Sequence, residues 1–112
     1  MKTCWIWVKA GIVAAIFALP PVLASAGEIV EVSIEKMQFV PQKIKVKPGA
    51  TVKWVNHEKR NNHSILFEAE GLPESDRLFP EESWQRTFDK VGVYPYVCGP
   101  HHEMTGVVEV AE

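Results

Sequence analysis

Cys98, His101 and Met104 stand three residues apart in the stretch YPYVCGPHHEM. A thiol, an imidazole and a thioether at that spacing suit one of two kinds of chemistry. They can hold a soft metal ion, or the cysteine and histidine can form a nucleophile–base pair. On a continuing strand, residues three apart lie about 10 Å from one another and point to opposite faces, so they could share nothing. Gly99-Pro100, directly after the cysteine, supplies a bend, and Gly106 marks where the chain straightens again. One tight loop at a strand end can therefore turn all three side chains toward a common point. By composition alone, C-x-x-H-x-x-M arises in about two of every thousand chains of this length, which makes the motif a signal.

Cys98 has other uses open to it: an inert buried thiol, a link to a second chain, or a nucleophile. The other cysteine, Cys4, lies at the N-terminus before an apolar run, so an internal disulfide is not expected. The nucleophile reading lacks an orienting third group and leaves Met104 without a use. Among metals, calcium and magnesium prefer oxygen, and structural zinc rarely takes a thioether. One thiolate, two imidazoles and a weak methionine are the donor set of a blue copper site. The second imidazole must come from elsewhere. His63 immediately precedes the apolar stretch SILF and so sits at a strand end, while His57, right after Asn56, is the alternative. His102 is a solvated neighbour, because adjacent side chains diverge.

The elements that must position these residues follow from alternation. In EIVEVSIE, Val30, Val32 and Ile34 face one way and the acids the other, which predicts a half-buried strand. The phase breaks near Lys36, where a bend or bulge is expected. KIKVKPGATVKWVN predicts strand, Pro48-Gly49 turn, strand, with Ile44, Val46, Val52 and Trp54 inside and lysines outside. SILF, SWQRTF, Val93 to Cys98 and GVVEV supply further short strands. Glu68 to Glu82 is acidic and broken by Gly71, Pro73 and Pro80, hence a loop. Seven or so short strands and no helical period indicate an all-β sandwich.

Residues 1–26 are expected to be a secretory leader rather than fold. Lys2 and Lys9 flank its start, an apolar run broken by Pro20-Pro21 follows, and Ala24-Ser25-Ala26 has the small-x-small form of a cleavage site. The domain is then residues 27–112, one small unit with a modest core. The leader takes two lysines and no acid, so the domain is more acidic than the net charge of −2 of the whole chain. That argues against a nucleic-acid surface.

On the stretches MQFVPQKIKVKPGATVKWVN and YPYVCGPHHEMTGVVEV, the chain resembles the small periplasmic cupredoxins, blue copper proteins of the amicyanin, pseudoazurin and plastocyanin type. The resemblance covers nearly all of residues 27–112. It implies a Greek-key β-sandwich and one type 1 copper ion held by His63, Cys98, His101 and Met104. It also implies a monomeric, non-enzymatic, periplasmic electron carrier that docks transiently with a redox donor and acceptor near His101, with no stable membrane insertion after cleavage. A periplasmic copper-trafficking protein of the same fold is the alternative. The short C-x-x-H-x-x-M loop is of the amicyanin kind. Three features depart from that pattern. Ser64 stands where the family commonly has Asn, the connection from Asn56 to His63 is one residue longer, and His102-Glu103 replaces Pro-Phe. The identity of a partner is therefore not implied.

Overall fold

The computed structural model describes residues 27–112, and the expected leader, residues 1–26, lies outside the described residues. The described residues form seven strands: β1 (Ile29–Glu35), β2 (Gln38–Val40), β3 (Lys43–Val46), β4 (Ala50–Asn56), β5 (Ser83–Phe88), β6 (Gly92–Val97) and β7 (Thr105–Val110). One sheet has the order β2-β1-β4-β5 and the other β3-β7-β6. Each strand presents one alternate set of side chains to the space between the sheets, where Val32, Ile34, Val46, Val52, Trp54 and Val108 are buried. The all-β sandwich expected from alternation is what the chain adopts.

β1 and β2 are joined by a two-residue turn in which Lys36 and Met37 both take positive φ, 54° and 58°. Positive φ at both central residues matches the right-handed twist of a hairpin, which is why the alternation breaks here. The turn also aims the Met37 N–H away from the hairpin, toward the loop after β4.

β3 and β4 do not pair, although only three residues separate them. β3 lies parallel to β7, while β4 lies parallel to β1 and antiparallel to β5. The Lys47–Gly49 turn thus carries the chain from one sheet to the other, with Gly49 at φ 95°.

SILF is not a ladder strand, contrary to the sequence expectation. In place of a ladder, isolated bridges hold the segment at Leu66, to Val97, and just before it at His63, to Leu78, with Ile65 bonded to Ser75 between them. Its apolar residues are buried all the same, with Ile65 at 1% and Phe67 at 2% exposure. It serves as an inner strap across the end of the sandwich. The acidic loop that follows contains one short 3-10 turn, Glu68–Glu70.

Beneath the strap lies a cluster of rings. Tyr96 meets Trp54 and Phe67, each at 5.3 Å between centroids, and Trp54 stacks obliquely on Trp84 at 5.6 Å. Each large side chain buried this way contributes about 1.5–3 kcal/mol through removal from water. Gly106 lies opposite Tyr96 across the β6–β7 ladder, and a Cβ there would collide with the Tyr96 ring. That close approach gives the glycine its place, and it ties the end of the copper-motif loop to the core.

Candidate metal centre

The loop between β6 and β7 closes on itself through the backbone. The Cys98 N–H donates to the Met104 carbonyl (3.0 Å), His101 N–H to the Cys98 carbonyl (3.2 Å) and Met104 N–H to the His101 carbonyl (2.9 Å). Two successive turns of the same kind return the chain every third residue. This is how residues 98, 101 and 104 come to share one end of the sandwich despite a spacing that would scatter them on a strand.

The strap brings His63 to the same end. Its N–H and C=O bond reciprocally with Leu78 (3.1 and 2.7 Å), and Leu66 bonds reciprocally with Val97, the residue before Cys98 (2.9 and 3.0 Å). Buried Asn56 anchors the loop between β4 and the strap. Its amide donates to the carbonyls of Asn61 (2.8 Å) and Leu78 (2.9 Å), and its side-chain oxygen accepts the Glu58 N–H (2.9 Å).

The outcome is a group of three donor atoms, from His63, Cys98 and His101, all within 4.8 Å of one another. The Cys98 Sγ lies 3.6 Å from the Nδ1 of His63 and 3.6 Å from the Nδ1 of His101. His63 and Cys98 are fully buried, and His101 is half-buried at the rim. Met104 is buried at the end of the loop, with 3% exposure. His57, the alternative histidine, is exposed and pairs instead with Glu31 at 3.3 Å. His102 and Glu103 are exposed beside the group.

Glu58 is the residue that sequence reasoning missed. Its carboxylate sits 2.7 Å from the His63 Nε2, and it also accepts the Met37 N–H at 2.5 Å and the Asn61 amide at 3.1 Å. Burial works to raise the Glu58 carboxyl. The hydrogen bonds from Met37, His63 and Asn61 outweigh it and hold the group below the usual carboxylate range. An ionised carboxylate only accepts, so the Nε2 carries the imidazole proton and the Nδ1 keeps its lone pair toward Cys98. The only hint in the sequence was an acid five residues before a histidine, in a loop that reads as merely polar.

Burial pushes the Cys98 thiol up, while the backbone N–H groups of Ser64 and His101 work in the opposite direction. A bound cation would add a far stronger preference for thiolate. Two imidazole nitrogens and one buried sulfur form a soft, nitrogen–sulfur donor set that fits copper.

The sequence model of the copper-binding proteins of the plastocyanin/azurin family matches residues 26–111. The chain belongs to that family. Its cofactor is copper, for which His63, Cys98 and His101 are positioned as potential ligands. Among relatives, amicyanin of Paracoccus versutus is 33% identical over 87 residues, covering 74% of this chain and 65% of that protein. The match thus spans slightly less than two thirds of that relative. Amicyanin-alpha of Methylorubrum extorquens is 32% identical, covering 83% of this chain and 81% of its own length. Plastocyanin of Scenedesmus fuscus is 37% identical over 84 residues, covering 64% and 85%. In three dimensions, the crystal structure of Paracoccus versutus amicyanin superposes with a TM-score of 0.68 at 32% identity, over 82% of this chain and 92% of that one. A Cu(I) form of an amicyanin mutant gives 0.71 at 33% identity, over 81% and 91%.

Proposed function

We propose that this chain is a single-electron carrier whose one copper ion is held by His63, Cys98, His101 and, more weakly, Met104. The observation that carries this reading is the convergence of three buried or half-buried donor atoms within 4.8 Å, in a chain of a copper-binding family. Bound there, copper supplies a one-electron Cu(II)/Cu(I) couple. The chain's own residues supply rigidity, orientation and exclusion of water. The sandwich holds the strap and the β6–β7 loop together through the Leu66–Val97 bonds, so the donors keep their places as charge changes. Glu58 keeps the His63 lone pair turned inward. The buried His63, Cys98 and Met104 keep solvent away, and half-buried His101 is the part of the group that meets the surface. With copper bound, the half-buried His101 ring edge would be the route by which electrons could pass to and from transient redox partners docked around it.

In this reading the protein is not an enzyme in its own right, acts as a monomer and contacts no nucleic acid. Residues 1–26 are a secretory leader removed after Ala26, and the domain, residues 27–112, works in the periplasm without membrane insertion. Similarity to the amicyanins supports export, and the small-x-small pattern at Ala24 and Ala26 supports the cleavage point.

The test is the visible spectrum and voltammetry of the copper-loaded domain. An intense blue absorption, reversible cycling with copper retained, and loss of the blue band in Cys98→Ala are expected. A Cys98→Ala protein with an unchanged spectrum would overturn the ligand set. Release of copper on each reduction would replace the carrier with a trafficking protein.

A further inference from the structure

We infer that Glu74 is a positioning residue for the copper site, acting through the Ser64 hydroxyl to lock the Cys98 loop against the His63 strap. The inference rests on the reading that Cys98 and His63 are ligands.

Ser64 follows His63 and is fully buried. Its Oγ lies 2.5 Å from the Glu74 Oε2 and 3.0 Å from the backbone nitrogen of Gly99, the residue after Cys98. A hydroxyl has one proton and a free rotor, so on its own it can point that proton in several directions. The Glu74 carboxylate accepts it. The Oγ lone pairs are then left facing the Gly99 N–H, and a hydroxyl already donating to a charge is the better acceptor. Each bond therefore strengthens the other, and the peptide unit that follows Cys98 is fixed to the residue that follows His63.

The loop comes close to this chain of bonds, buried at Ser64 and open to solvent on the Glu74 side. A Cβ at Gly99 would collide with both the Glu74 carboxylate and the Ser64 hydroxyl, so the loop approaches the pair at bare backbone. Arg77 donates its Nε to the same Glu74 oxygen (3.1 Å) and its Nη1 to the Asn62 side chain (3.3 Å). The Ser75 hydroxyl accepts the Ile65 N–H (2.9 Å), and the Ser75 N–H donates to the Ile65 carbonyl (3.0 Å), which keeps Glu74 in register with the strap. The Glu74 carboxyl lies below the usual range, with the Ser64 hydroxyl as the largest cause, burial opposing and Arg77 adding to it. Nothing in the acidic stretch from Glu68 to Glu82 marks Glu74 apart from its neighbours; only the fold does.

The experiment compares amide hydrogen exchange at Gly99 in wild type, Glu74→Ala, Glu74→Gln, Ser64→Ala and the Ser64→Ala/Glu74→Ala double variant. It is run first on the metal-free domain and then on the copper-loaded, reduced protein, with the visible band and reduction potential of each loaded variant alongside. Loss of a hydrogen bond to a charged group speeds exchange about tenfold or more in Glu74→Ala. Glu74→Gln keeps an acceptor oxygen but drops the charge, and stays within about threefold of wild type. In the Ser64→Ala background, Glu74→Ala adds no further change, and the band and potential follow the exchange rates across the series. The inference is overturned if Glu74→Ala leaves Gly99 within about twofold of wild type. It is equally overturned if Glu74→Ala has the same effect with Ser64 present and absent, or if Glu74→Gln shifts the potential as far as Glu74→Ala, which would leave only a charge effect. Because the exchange arm needs no copper, its failure is distinct from a failure of the ligand assignment, which Cys98→Ala reports.

Discussion

Replacing Glu58 by alanine removes the acceptor for three donors at once. The His63 Nε2–H is the costly one, since the ring is fully buried and no water reaches it. Leaving a buried donor unsatisfied costs about 1–3 kcal/mol, and the partly buried Met37 N–H adds roughly 0.5–1.5 kcal/mol. The Asn61 amide is at the surface and can turn to solvent, so it adds little. The metal-free domain should therefore lose about 1.5–4.5 kcal/mol in denaturant unfolding. Copper binding suffers for a second reason. Without the carboxylate, the His63 proton is free to move to Nδ1, and the lone pair facing Cys98 is lost for part of the time. Losing such an outer partner typically costs about 10–100-fold in metal affinity, or roughly 1.4–2.7 kcal/mol. Competition against a chelator of known affinity measures this. Glu58→Gln separates the two effects, because its amide oxygen can still accept from His63 while its NH2 confronts the Met37 N–H. It should keep most of the affinity and lose part of the stability. If Glu58→Ala bound copper within about twofold of wild type, the argument that the carboxylate sets the His63 tautomer would be wrong.

Met104→Ala should keep some blue colour and shift the reduction potential, as the proposed weak thioether donor requires; voltammetry and the visible spectrum check this together. His57→Ala should leave both spectrum and potential nearly unchanged, because that ring is exposed and faces Glu31 rather than the donor group. Phe67→Ala opens the ring cluster under the strap and should destabilise the domain by about 3–5 kcal/mol in thermal or denaturant unfolding. The Glu74 carboxyl lies lower in the folded protein than in the unfolded chain, so its contribution is present above the ordinary glutamate range and disappears as pH falls through its folded value. Its side chain is 35% exposed, so the effect is small. The stability gap between the metal-free wild type and Glu74→Gln should accordingly narrow as pH falls from the ordinary glutamate range through the lower folded value, and a gap constant with pH would count against the Ser64 and Arg77 bonds as its cause.

Much of this protein was legible in one dimension because the relevant signals are local. The donor types of Cys98, His101 and Met104, with Gly99-Pro100 between them, specify a soft metal and the loop that could gather its ligands. Alternation in β1, β3 and β4 places Val32, Ile34, Val46 and Trp54 inside, since the faces of a strand depend only on its own period of two. Pairing does not. Alternation says nothing about β3 and β4 entering different sheets, or about β1 lying parallel to β4, because hydrogen-bond partners are chosen by the path of the whole chain. For the same reason SILF looked like a strand: its apolar residues are buried as a strand's would be, but its neighbours leave it one isolated bridge, Leu66 to Val97, rather than a ladder. The polar surroundings of the site are the least local feature. Glu58 reaches His63 because the positive-φ turn at Lys36 and Met37 and the Asn56 anchor fold the loop back on itself. Glu74 reaches Ser64, ten residues away, because the strap and the segment ending at Leu78 are bonded side by side. The sequence could name the candidate donors; only packing decided which carboxylates stand behind them.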